Sequence, residues 1–111
     1  MELNVYQQLA QRTCNITKTT DEKIENGILG MCGEAGECAD ILKKHFFQGH
    51  EFDSDKMAEE IGDVLWYVSE AASGLGLTLE EIAQRNIRKL KKRYPEGFDP
   101  DRSIHREEYE K

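Results

Sequence analysis

The sequence predicts an all-α protein, four-helix-bundle-like, built around one long antiparallel helical hairpin. Three observations lead there. Helix start signals recur, each a Ser, Thr, Asp or Asn ahead of apolar residues spaced three and four apart. No segment alternates apolar and polar residues as a half-buried strand would. The chain has 111 residues, 38% hydrophobic and 33% charged, which suits one helix-rich domain with charged outer faces.

The elements follow in order. Asn4 with Gln7 resembles a capping box, and Val5, Leu9, Ala10 and Thr13 then keep helical spacing. Thr19 with Glu22 is a better capping box. It opens a long second helix whose apolar stripe is Ile24, Ile28, Met31, Ala35, Ala39, Leu42 and Phe46. QGHEFD reads as a loop, after which Asp53 or Ser54 caps a third helix carrying Met57, Ile61, Val64, Leu65, Val68, Ala72 and Leu75. Thr78 with Glu81 opens the fourth, through Ile82, Ala83, Ile87 and Leu90. Pro95 ends it, because the residue before a proline disfavours helical backbone. No repeat or internal linker interrupts the chain. Residues 1–111 therefore read as a single domain, with about 96–111 an irregular polar tail docked through Phe98 or Tyr109.

Charge and composition narrow the function. A net charge of −7 excludes a broad nucleic-acid surface, which needs a basic footprint. An acidic protein that acts on a polyanion needs a mediating cation, and a divalent metal is the obvious one. No stretch reaches the ~20 apolar residues of a membrane span, and the N-terminus lacks the pattern of a signal peptide. Cys14, Cys32 and Cys38 form no CxxC pair, so a reduced, cytoplasmic setting with unbridged thiols is expected. A core this small also favours a homo-oligomer.

Two acid pairs carry the chemistry. The second helix contains Glu34-Ala-Gly-Glu37 and the third Glu60-Ile-Gly-Asp63. Residues three apart are neighbours on a helix surface, so each pair can converge on one ion. Both pairs fall on the same flank of their apolar stripes, and helices joined by a short loop pack antiparallel. Four carboxylates facing across one seam repel without a counter-cation. An all-oxygen set suits Mg²⁺ or Mn²⁺, with waters and substrate phosphates as further ligands. One such pair alone would read as a solvated face. What adds weight is Gly27, Gly30, Gly33 and Gly36, every third residue of one helix, where each costs ~1 kcal/mol against alanine. They imply close approach by a ligand or another helix. A di-iron carboxylate bundle would pair Glu with His in ExxH, and His45, His50 and His105 lie in no such pair.

The segments LGMCGEAGECAD and EEIGDVLWYV, with ExxE and ExxD separated by 22 residues, resemble the MazG-like, all-α NTP pyrophosphohydrolases. NVYQQLAQRT and NIRKLKKRYPEGF extend the resemblance over nearly the whole chain. It implies Mg²⁺ held by Glu34, Glu37, Glu60 and Asp63, which form the catalytic centre. Water would attack between the α- and β-phosphates, giving nucleoside monophosphate and pyrophosphate. It also implies homodimers or homotetramers, with sites assembled from neighbouring subunits.

Asn86, Lys89 and Arg93 lie on one stripe of the fourth helix, suited to ribose and phosphate oxygens. Cations near a helix C-terminus also meet its dipole. The resemblance assigns Asn86 and Lys89 to the nucleotide, with Arg93 beside them. Lys43 and Lys44 end the second helix, and either could reach a phosphate. Tyr67 shares the sector of the acids and is a candidate nucleotide contact. Trp66 points away from the apolar stripe, which suggests a subunit contact first and base stacking second. Asp40 and Glu59 flank the quartet, Glu59 as a spare ligand or as an acceptor behind the ligands.

No Ser, Cys or His stands beside an evident base, which disfavours covalent catalysis. Metal-assisted hydrolysis asks less of the protein, with Glu37 or Glu34 free to take the water proton. Two alternatives remain open, and a purely structural helical hairpin is a third that the glycines and acids disfavour. One is another substrate on the same fold, such as phosphoribosyl-ATP or a cytosine deoxynucleotide. The other is a non-catalytic metal- or nucleotide-binding helical oligomer.

Overall fold

The computed structural model describes residues 1–15 and 17–106. Among them lie five helices and no strand: α1 (Leu3–Gln11), α2 (Thr20–Phe47), α3 (Ser54–Gly74), α4 (Leu79–Arg93) and α5 (Pro100–Ile104). The all-α class is the one the sequence predicts. The chain divides into two compact units, Met1–Leu79 and Glu80–Lys111.

In the first unit, α2 and α3 pack along their length as an antiparallel hairpin, and α1 lies on α3. Local chemistry starts each helix. Thr19 accepts from the Glu22 amide while Glu22 bonds back to the Thr19 amide, the reciprocal capping box expected for α2. Asp53 caps α3 through the Lys56 amide. At the far end of α3, Gly76 takes φ +73°. Its amide bonds to Ser73 O at 3.0 Å and that of Leu77 to Ala72 O at 2.9 Å, closing a Schellman turn. The α1 start differs from the sequence reading: the helix begins at Leu3 behind Glu2, which makes no side-chain cap.

Gln7 has other work. It is buried, and its Nε2 donates to Ser73 Oγ and to Leu77 O, both at 3.0 Å. Its Oε1 accepts the Leu79 amide at 2.7 Å. One amide thus satisfies backbone groups where α3 ends and the next helix begins. Trp66 belongs to the same strap. Its Nε1 donates to Ala10 O at 3.1 Å and Thr13 Oγ1 at 2.8 Å, so the ring is half-buried under α1. The expectation that Trp66 projects outward is therefore corrected. A helical wheel of α3 alone could not show α1 covering that side.

The seam between α2 and α3 is tightest at two glycines. A Cβ on Gly27 would lie 2.6 Å from Ala71 N, and one on Gly30 would lie 2.2 Å from the Tyr67 ring. Gly33 and Gly36 meet nothing within 4 Å, so close approach explains only half of the predicted glycine series. Gly74 is a third close contact, against Ile24 and Lys23. The α2 stripe also divides: Ile24 and Met31 are partly covered, whereas Ile28, Ala35, Ala39, Leu42 and Phe46 are exposed.

Glu70 closes the seam beyond the glycines. Its side chain is fully buried, and Oε1 accepts from Lys18 Nζ at 2.9 Å and from Cys14 Sγ at 3.0 Å. Oε2 accepts from Asn26 Nδ2. Burial pushes this carboxyl up, but the hydrogen bonds from Cys14, Lys18 and Asn26 outweigh it and hold Glu70 below the usual carboxylate range.

The second unit holds the body of α4 and the short helix α5, which starts behind Asp99 with Pro100 in its first turn. The tail is thus partly helical, which the polar composition did not announce; a proline at a helix start is well placed for it. Phe98 is 74% exposed, with its ring against Tyr94, and Tyr109 lies outside the described residues.

Two measurements test this packing. Gly27→Ala should lower stability by about 1–3 kcal/mol, because backbone cannot yield as a side chain can. Gly33→Ala should raise it by up to ~1 kcal/mol, since α2 gains propensity at no steric cost. Denaturant midpoints check both, and equal responses would refute the seam. The second test is acid unfolding. Glu70 is ionised more readily folded than unfolded, so its contribution is complete above its ordinary value. That contribution is lost as pH falls below about 4.3 through the lower folded value. Glu70→Gln should therefore flatten the loss of stability at acid pH in thermal melts.

Candidate functional site

The hairpin brings three of the four predicted acids together. One carboxylate oxygen each from Glu34 on α2 and from Glu60 and Asp63 on α3 lie within 4.8 Å of one another. Glu34 and Glu60 are half-buried and Asp63 is exposed. The helical repeat accounts for this: Glu60 and Asp63 are three apart, and Glu34 sits one turn beyond Gly30, which packs against the Tyr67 ring of α3. Among the described residues no cation is ion-paired to any of the three.

Electrostatics follow from that crowding. The Glu34 carboxyl is held above its usual value, first by a hydrogen bond shared with Glu60. Burial and the charges of Asp63, Glu60 and Glu37 act in the same direction. Burial and the Asp63 charge also raise the Tyr6 phenol. Tyr6, on α1, thus feels the charge of Asp63, and the sequence reading did not single it out. Glu37 is exposed and is not part of the converging trio, although Glu34 feels its charge.

Open clefts flank the trio along the hairpin. On the α1 side, Trp66 and Tyr67 join Glu34 and Asp63 around a cleft of about 280 Å³. The two rings meet edge to face, centroids 5.1 Å apart. On the loop side, Glu37, Asp40, Lys44, His50 and Lys56 border a cleft of about 320 Å³. Lys43 does not line either cleft. Its Nζ sits 3.2 Å from Asp40 Oδ1, while Lys44 reaches Asp40 Oδ2 at 2.9 Å. Of these two lysines, Lys44 borders the loop-side cleft and Lys43 does not.

Asn86, Lys89 and Arg93 lie on α4 in the second unit, as one stripe. Asn86 and Lys89 are exposed, and Arg93 is partly covered. His45 Nδ1 lies 2.8 Å from His50 O, a local contact at the hairpin loop.

Sequence reasoning missed Glu70 with its partners Lys18, Asn26 and Cys14. A signal existed. Glu70 follows Asp63 by two helical turns on the same face, and Asn26 precedes Gly30 by one. A polar residue in register with the seam, beyond the acids, is a buried-network candidate.

Comparison with known proteins gives the same family as the acid pattern. The MazG nucleotide pyrophosphohydrolase domain matches residues 22–98, a span that contains both acid pairs and the whole of α4. The chain is similar to the Gene 37 protein of Mycobacterium phage L5, at 32% identity over 105 residues, covering 87% of this chain and 92% of that protein. No solved structure gives a significant match. With an ExxE and an ExxD motif on facing helices of an all-α hairpin, the chain belongs to the MazG nucleotide pyrophosphohydrolase family.

Proposed function

We propose that this protein is a divalent-metal-dependent pyrophosphohydrolase that converts a nucleoside or deoxynucleoside triphosphate to monophosphate and pyrophosphate. The observation that carries the reading is the convergence of Glu34, Glu60 and Asp63 oxygens within 4.8 Å across two helices of a MazG-family chain. The donor set fits Mg²⁺ or Mn²⁺: it is all oxygen, without the imidazole or thiolate that softer metals select. Mutual repulsion gives the trio a physical demand for positive charge.

Glu34, Glu60 and Asp63 would hold the ion. When bound, it would neutralise phosphate charge and lower the pKa of a coordinated water. Glu37, exposed and close enough for its charge to be felt by Glu34, would complete the ligand set or accept the water proton. The Trp66–Tyr67 cleft lies towards α1 and the Lys44–Lys56 cleft towards the loop. The aromatic end suits a nucleoside; the loop-side cleft, lined by Glu37, Asp40, Glu51 and Asp53 as well as the two lysines, would take phosphates only with metal between them. Asn86, Lys89 and Arg93 are proposed nucleotide contacts on the family resemblance, which the match through residue 98 supports. That match crosses the boundary between the two compact units, which supports one functional domain. Housecleaning of the nucleotide pool in the cytoplasm is the role we assign. Three free thiols agree with a reducing compartment, and no described helix is long and apolar enough to cross a membrane.

We further propose a homodimer or homotetramer. Few apolar side chains are buried, whereas Ile28, Leu29 and Phe46 on α2 and Ile61 on α3 are 48%, 72%, 69% and 57% exposed. Unpartnered stripes of this kind on both helices of a hairpin are what a second hairpin covers.

Three experiments test these proposals. Incubation with each NTP and dNTP plus Mg²⁺ in ¹⁸O-labelled water should place label in the monophosphate and none in pyrophosphate. Glu60→Ala and Asp63→Ala should each lose about a hundredfold or more in turnover while remaining folded. Release of orthophosphate and a diphosphate would overturn the assignment. Sedimentation at micromolar concentration should show a dimer or tetramer, and Phe46→Lys/Ile61→Lys should shift it towards monomer. An active wild-type monomer of 12.8 kDa would refute the assembly.

A further inference from the structure

Glu70 is the largest fully buried side chain among the described residues, and the proposed chemistry does not use it. It collects three donors from two other segments: Cys14 and Lys18 between α1 and α2, and Asn26 on α2. The structure assigns Glu70 a positioning role: its cluster with Lys18 and Asn26 sets the angle between α2 and α3, and so the separation of Glu34 from Glu60 and Asp63. The inference rests on the metal-site reading above.

Leverage connects the cluster to the acids. Asn26 and Glu70 adjoin Gly27 and Ala71, where backbone meets backbone without room for a methyl group. That contact is a fulcrum. Asp63 lies seven residues from Glu70, about 10 Å along the helix. Tilting α3 by about 5° around the fulcrum would move its carboxylate by roughly 0.9 Å over that length. Metal sites hold their ligand distances to about 0.2 Å, so an error of that size is felt. Stability alone does not require this arrangement. A buried ion pair is commonly no better for stability than apolar side chains of similar volume. What a three-donor carboxylate adds is direction, since each hydrogen bond restricts where α2 and the α1–α2 connection lie relative to α3.

The partners suggest informative variants. Every group facing Glu70 is a donor, so Glu70→Gln leaves Lys18 without its counter-ion and presents an amide to a donor. Lys18→Met/Glu70→Met removes the polar pair while keeping volume. Glu70→Gln/Asn26→Asp keeps one carboxylate and one amide but exchanges their helices.

Mn²⁺ would be titrated into the full-length metal-free protein, with free ion read by electron paramagnetic resonance and melting followed on the same samples. The methionine pair should melt near wild type and bind Mn²⁺ about tenfold more weakly. Glu70→Gln should also weaken binding, and adding Asn26→Asp should recover most of the loss. Wild-type affinity in Glu70→Gln or in the methionine pair would make the cluster a stability element only and overturn the inference, leaving the metal site intact. Should the methionine pair not fold, Glu70→Gln with its Asn26→Asp rescue decides by the same criterion. A wild-type protein that binds no Mn²⁺ would overturn the metal site, and the inference with it.

Discussion

Everything in the first unit depends on how closely α2 approaches α3. Two positions without a side chain, Gly27 against Ala71 and Gly30 against the Tyr67 ring, let the helices come nearer than ordinary apolar packing permits. One turn further on, the same approach forces Glu34 against Glu60 and Asp63. Packing thus overrides repulsion: helix burial holds together charges that would separate in a looser pair.

The seam handles its carboxylates in two ways. Glu70 is fully buried and has its cation supplied from within, by Lys18, together with two further donors. Its ionised form is thereby favoured despite burial. Glu34, Glu60 and Asp63 are less buried and have no such partner among the described residues, and the Glu34 carboxyl is pushed up. A carboxylate balanced internally is a structural element. Carboxylates left unbalanced beside open clefts are suited to an external cation and its ligands.

The surface carries a second imbalance, of apolar area. The strap formed by Gln7, Gln11 and Trp66 ties α1 to one side of α3 through side-chain hydrogen bonds. It leaves the outer stripes of α2 and α3 bare. Trp66, which a single helix would expose, is covered within the chain. Ile28, Leu42 and Phe46, which one amphipathic stripe would bury, are not. Assembly is therefore better argued from those residues than from the tryptophan.

Local chemistry made much of this legible from the sequence alone. The helix class, the Thr19 capping box, the Asp53 cap and the stop before Pro95 depend on neighbours within a turn, and residue order determines them. So did the pairing of acids three apart on each helix, and the family they resemble. Tertiary structure decided the rest. Which acids converge, which glycines are close contacts and which side of Trp66 is covered depend on the rotation of each helix about its axis. That rotation is set by partners distant in sequence, such as Asn26 with Glu70 and Gln7 with Ser73. Periodicity gives the face of a helix to within a residue or so, whereas separating Glu37 from the trio needs the crossing geometry of two helices. That geometry arises from close packing, in which a single missing methyl group moves a helix.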